Sequence, residues 1–130
     1  MQHMSSHPDY DITVTAESLY LPDQSDESAD RYVFAYRIRI TNTGGVAAKL
    51  ISRHWIITDA HQQVQEVRGD GVVGEQPYLQ PGESFEYTSG TSIATPVGTM
   101  RGSYRMQADD GTEFDAPIAE FTLSIPRTLH

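Results

Sequence analysis

Gly69, Gly71 and Gly74 stand in the segment Arg68-Gly69-Asp70-Gly71-Val72-Val73-Gly74-Glu75-Gln76-Pro77 at the spacing of a dinucleotide-binding turn. The chemistry this spacing serves is phosphate binding: a strand leads into the glycines, a helix opens at the third, and its first amides hold a pyrophosphate. The surroundings withhold the helix. Pro77 follows Gly74 within three residues, and Gln80-Pro81-Gly82 then leads into a strand-like run, Ser84-Phe85-Glu86-Tyr87-Thr88. A nest of successive backbone amides could hold an anion without a helix, but Asp70 and Glu75 set negative charge beside the turn and only Arg68 offsets it. The residues favour a structural role, with glycines permitting positive φ where a loop crosses a sheet edge and lets Val72 and Val73 pack or present themselves.

Two other groups of side chains have ligand chemistry. His54, Asp59 and His61 suggest a metal set, but a hairpin turning at Asp59-Ala60-His61-Gln62 puts the two histidines ~20 Å apart at roughly 3.3 Å per residue. His54, beside Trp55, reads as partly buried and hydrogen-bonded, and His61 as a turn residue. Asp23, Asp26, Glu27 and Asp30 offer oxygen ligands to a hard cation, yet the obligatory glycine and terminal glutamate of an EF-hand are missing, so a solvated acidic loop is expected. The chain has no Gly-x-Ser-x-Gly elbow, His-Glu-x-x-His or Walker lysine motif. It is expected not to be an enzyme, and no cofactor is implied.

The elements that must carry these residues are strands. Tyr10, Ile12, Val14 and Ala16 alternate with Asp11, Thr13, Thr15 and Glu17, and Tyr32, Phe34, Tyr36, Ile38 and Ile40 alternate with a face bearing Arg37 and Arg39. The second run ends on the turn residues Asn42-Thr43-Gly44-Gly45 and reads as a central core strand. Lys49 to Thr58 and Gln63 to Arg68 form a hairpin. Ser84 to Thr91, Met100 to Ala108, Glu113 to Ala116 and Ile118 to Ile125 complete the set. No window holds a 3.6-residue period. The fold expected is all-β: an immunoglobulin-like or fibronectin type III-like antiparallel sandwich of seven or eight strands, with a barrel as the alternative and Trp55 as the buried tryptophan of the third strand.

At 130 residues the chain fits one domain, read as residues 10–127 behind a flexible tail over residues 1–9. There are no cysteines, so the core holds by packing alone and a reducing, cytoplasmic setting is expected. No apolar run is long enough for a membrane span, and the first residues lack a signal-peptide pattern. Eighteen acids against nine bases give a net charge of −9, with Lys49 the single lysine. Nucleic acid is a poor partner for such a surface, since phosphate binding needs clustered cations.

Six segments in order carry a resemblance: Ser52-Arg53-His54-Trp55-Ile56-Ile57-Thr58-Asp59, Gly69 to Pro77, Leu79-Gln80-Pro81-Gly82-Glu83, Phe85-Glu86-Tyr87-Thr88-Ser89-Gly90, Thr95-Pro96-Val97-Gly98 and Met100-Arg101-Gly102-Ser103-Tyr104-Arg105-Met106. Together they resemble the ApaG (CorD) family, its stand-alone bacterial members in particular, over Tyr10 to Arg127. The resemblance implies a fibronectin type III-like sandwich and a role in protein contact, as inferred for similar domains in some eukaryotic F-box proteins and a polymerase delta-interacting protein. It also implies a genetic association with cobalt resistance and magnesium efflux and with a neighbouring diadenosine tetraphosphate hydrolase gene, but carries over no catalytic residue.

Two functions are therefore expected in order. The first is recognition of a protein partner by the loop Gly69, Asp70, Gly71, Val72, Val73, Gly74 and Glu75, with the two valines as apolar anchors and Arg53, Arg68 and Glu75 as polar contacts. The second is binding of a nucleotide polyphosphate or pyrophosphate at the same glycines, with a divalent cation offsetting the local acids.

Overall fold

A computed structural model describes residues 9–126. Eight strands run in chain order: β1 (Ile12–Tyr20), β2 (Tyr32–Asn42), β3 (Ala48–Asp59), β4 (Val64–Asp70), β5 (Tyr78–Leu79), β6 (Ser84–Ile93), β7 (Val97–Ala108) and β8 (Glu113–Ser124). They form two antiparallel sheets, β1-β2-β6 and β4-β3-β7-β8, with the short β5 also paired to β3. This is the expected sandwich, and β2 is the central strand of its sheet.

The alternation read from the sequence is what closes the core. Phe34, Ile38 and Ile40 on β2 are fully buried against Leu50, Trp55, Met100, Tyr104, Met106 and Leu123 of the other sheet. Burial of each large side chain is worth about 1.5–3 kcal/mol. Trp55 has no disulfide to pack on. Three rings surround it instead, with centroids 5.3 Å (Tyr36), 6.3 Å (Tyr104) and 6.0 Å (Phe121) away, all near edge-to-face. Beside this cluster the Tyr87 and Tyr104 hydroxyls share a hydrogen bond of 2.5 Å. Burial raises the Tyr87 phenol to about 12 and pushes Tyr104 up further, with the facing Tyr87 adding to the shift.

The two sheets meet along one side and part along the other. β1 packs beside β8, and Ser18 donates from Oγ to the Thr122 carbonyl at 2.8 Å. β4 and β6 are the free edges opposite. Two expectations about strand limits need correction. Glu113 to Ala116 and Ile118 to Ile125 are one strand, β8, because Pro117 sits on an edge strand where its missing N–H breaks no ladder bond. Gly69 and Asp70 belong to β4 and pair with Arg53 and Ser52, so the irregular segment begins at Gly71.

The tail expected over residues 1–9 lies outside the described residues except for Asp9, whose carbonyl accepts the Gly45 and Val46 amides. Among the described residues no helix is long and apolar enough to cross a membrane.

Candidate functional site

The glycine segment is anchored on an irregularity in its neighbour. Ile51 is an extra residue in β3: Leu50 pairs with Met106 and Ser52 with Arg105, so Ile51 bulges out of the ladder with β7. Its carbonyl accepts both the Gly71 amide at 2.8 Å and the Gln76 side-chain amide at 2.9 Å, while the Leu50 amide donates to the Pro77 carbonyl at 2.9 Å. Between these tethers Val72 and Glu75 exchange two backbone hydrogen bonds, at 2.8 and 2.9 Å, around Val73 (φ 44°) and Gly74 (φ 82°). Positive φ at both central positions is the signature of a type I′ turn. The segment is a minimal hairpin.

Each glycine of the spacing then has its own physical reason. At Gly69 a Cβ would lie 2.7 Å from the Arg53 guanidinium; at Gly71 (φ 60°) it would lie 2.2 Å from the Glu75 carbonyl oxygen; at Gly74 the space is open and only the backbone angle calls for glycine. None of the three reasons involves a ligand.

Arg53 has been turned inward by the bulge. It pairs across the sheets' inner face with Tyr104 on one side and Gly69 on the other, and its Nη1 donates to the Asp70 and Gly71 carbonyls, 2.9 Å each. It was expected to be a surface contact; it is a half-buried brace, because its donors are taken by the loop's own backbone. Val72 also departs from expectation. It is 0% exposed and belongs to the core, so it cannot anchor a partner, whereas Val73 at the turn tip is 53% exposed. The alternation of the hairpin sends the two valines to opposite sides. Asp70, Gly74, Glu75 and Arg68 are exposed.

Outside the loop the structure groups residues that had been read separately. His54 faces outward from β3 and its Nε2 lies 2.7 Å from Glu66 Oε1 on β4; that hydrogen bond holds the Glu66 carboxyl below its ordinary value. Arg68 reaches the same oxygen at 3.5 Å. A shallow recess of about 500 Å³ opens here, lined by Ser52, His54, Arg68, Gly69, Asp70 and Arg105 among others. Its charge is close to balanced, since Arg105 is bound by Glu113 at 3.0 Å and Asp115 at 3.1 Å. His54 and His61 are not brought together. Asp59 Oδ1 accepts the amides of His61 and Gln63 and shapes the hairpin turn. Glu27 accepts from the Tyr20 hydroxyl at 2.7 Å and Asp26 from the Ser28 hydroxyl at 2.7 Å. Among the described residues no three His, Asp or Glu side chains are grouped as metal ligands.

Comparison with known proteins agrees with this architecture. The ApaG domain pattern matches residues 22–108. Protein ApaG of Nitrosospira multiformis is 63% identical over 127 residues, covering 98% of this chain and 100% of its own, and Protein ApaG of Bordetella pertussis is 61% identical over 121 residues, 93% of this chain and 92% of its own. A crystal structure of an ApaA protein from Bordetella pertussis superposes with a TM-score of 0.90 at 59% identity, covering 94% of this chain and 99% of that one. With most of its length matched by the pattern and nearly all of it by these relatives, the chain belongs to the ApaG domain family.

Proposed function

We propose that the protein is a non-enzymatic binding module that recognises a protein partner at the Val73 turn and the adjoining rim of the β3–β4 hairpin. The observation that carries this reading is how the loop spends its hydrogen-bonding groups. The Gly71, Val72 and Glu75 amides donate to the chain's own carbonyls, and the Asp70 and Gly71 carbonyls accept from Arg53. A rigid two-residue tip bearing one exposed valine between Gly74 and the charged Glu75 and Asp70 is suited to a protein surface, where a preorganised apolar contact with a polar rim gains affinity at little entropic cost.

Binding of a nucleotide polyphosphate has less support. A phosphate nest needs successive free amides, and with the Gly71, Val72 and Glu75 amides engaged only the two tip amides of Val73 and Gly74 are left to form one, next to the carboxylate of Glu75. On the proposed reading, any influence on cobalt resistance or magnesium efflux passes through a protein partner rather than through an ion held by this chain.

A photo-crosslinking residue placed at position 73 in cells tests the proposal against the same residue at Arg39, which lies on the other sheet. A discrete protein adduct from position 73, absent from position 39 and lost on Glu75→Lys, is expected. Amide shifts saturating at Gly69 to Gly74 on addition of diadenosine tetraphosphate with magnesium, with no adduct from position 73, would reverse the order of the two readings.

A further inference from the structure

β4 is a free edge whose only guard is the mixed charge of Glu66, Arg68 and Asp70. It runs seven residues in continuous register with β3, contains no proline and no bulge, and is exposed at every position but Gly69. Natural edge strands of this kind are normally covered, kinked or guarded. Its hydrogen-bonding parity is fixed by the bonds at either end. The Asp59 amide donates to the Gln63 carbonyl at 3.0 Å and the Gly71 amide to the Ile51 carbonyl at 2.8 Å. Odd-numbered residues therefore face β3, and antiparallel alternation leaves the N–H and C=O of Val64, Glu66, Arg68 and Asp70 directed outward.

We propose that a second copy of this chain pairs with that edge, β4 against β4, antiparallel and centred on Val67. The charge pattern selects both the occupant and the register. In this alignment Glu66 lies opposite Arg68 of the second copy, twice by symmetry, and these are residues whose outward backbone groups pair across the seam. Val67, 37% exposed, meets its own counterpart on the inner face. A sheet register changes in steps of two residues if each side chain is to keep its face. One step to either side sets Glu66 against Glu66, or Arg68 against Arg68 with Glu66 against Asp70. Opposite charges directly across strands stabilise and like charges destabilise. The result is a continuous sheet through both molecules with an isologous contact. A seven-residue strand falls short of the roughly 800 Å² per partner of a standard interface, and each chain carries a net charge of −9, so assembly is concentration-dependent.

Sedimentation velocity on the purified chain, from low micromolar to near-millimolar concentration, tests this. The sedimentation coefficient should rise with concentration. Glu66→Arg and Arg68→Glu should each weaken association about tenfold, since each sets two like-charge pairs across the seam, and the double variant should restore it. Both positions of change are exposed, and circular dichroism checks that the three variants fold. Amide exchange gives a second measure: Glu66 and Arg68 amides should slow with concentration while Val67, already bonded within the chain, does not change. A monomer throughout the range, a dimer indifferent to the single reversals, or a double variant that fails to restore association overturns the proposal. Because no other protein is present, this result is independent of partner recognition at Val73.

Discussion

The Arg53 guanidinium fills the place a side chain on Gly69 would occupy, 2.7 Å from the position of a Cβ there. The two residues face each other across β3 and β4, and the arginine reaches past the glycine to hold the next two carbonyls. Gly69→Ala should cost about 1–2 kcal/mol, the worth of a charge-assisted hydrogen bond or two displaced with the guanidinium. In an Arg53→Ala background the same change should cost almost nothing. Urea unfolding of the four proteins in the cycle measures the coupling, and additive effects would show that the close approach is not the reason for the glycine.

Gly71 and Gly74 should differ although both have positive φ. Gly71→Ala brings a Cβ within 2.2 Å of the Glu75 carbonyl, whereas Gly74→Ala meets nothing within 4 Å. We expect a loss of about 3 kcal/mol or more at Gly71, from strain plus the displaced backbone, and about 1 kcal/mol at Gly74, from the left-handed backbone alone. Gly74→Asn should be close to neutral, since asparagine tolerates that conformation. Equal losses at the two positions would argue against the turn geometry described.

The neighbouring valines provide a third contrast. Val72→Ala empties fully buried space and should cost about 2 kcal/mol from lost transfer energy and the cavity left behind. Val73→Ala should leave thermal stability within about 0.5 kcal/mol of the parent, as exposed positions do. Any loss of partner binding on changing Val73 is then a surface effect.

The buried tyrosine pair predicts an alkaline limit to stability. Because burial raises Tyr87 to about 12 and Tyr104 higher still, the folded state keeps both protons after the unfolded chain begins to ionise near 10. The unfolded state then binds fewer protons, so stability is complete below pH ~10 and falls as the pH rises from there through 12. Unfolding midpoints measured across that range should decline steeply in the parent and less steeply in Tyr87→Phe.

Most of the sandwich can be read in the chain because period-2 alternation survives in β1, β2 and β6 with one face buried. The Val72 burial and the inward turn of Arg53 could not be read that way. The turn of Arg53 follows from the bulge at Ile51, which shifts the parity of β3 midway, and the burial of Val72 from the tight hairpin that the Ile51 carbonyl tethers through the Gly71 amide. A clue was present: Leu50 and Trp55 are both strong core residues yet stand five positions apart, so strict alternation would place them on opposite faces. Only an inserted residue lets both face inward. The pairing of His54 with Glu66 was hidden for a different reason, since it depends on the register between two strands, and register is set by the turn at Asp59 and not by the residues that meet.

The same bulge determines which errors the gene can tolerate. Removing Ile51 would cancel the extra position and leave Leu50 and Trp55 four apart, so that plain alternation keeps both inward, whereas removing Ile56 would turn Ile57 to the outer face and slip the register with β7 beyond it. A substitution at Ile51, only partly buried, changes one side chain. A codon lost at position 51 therefore spares the alternation of the strand and one lost at position 56 does not, which makes the spacing of the inward residues of β3 a stricter inheritance than its total length.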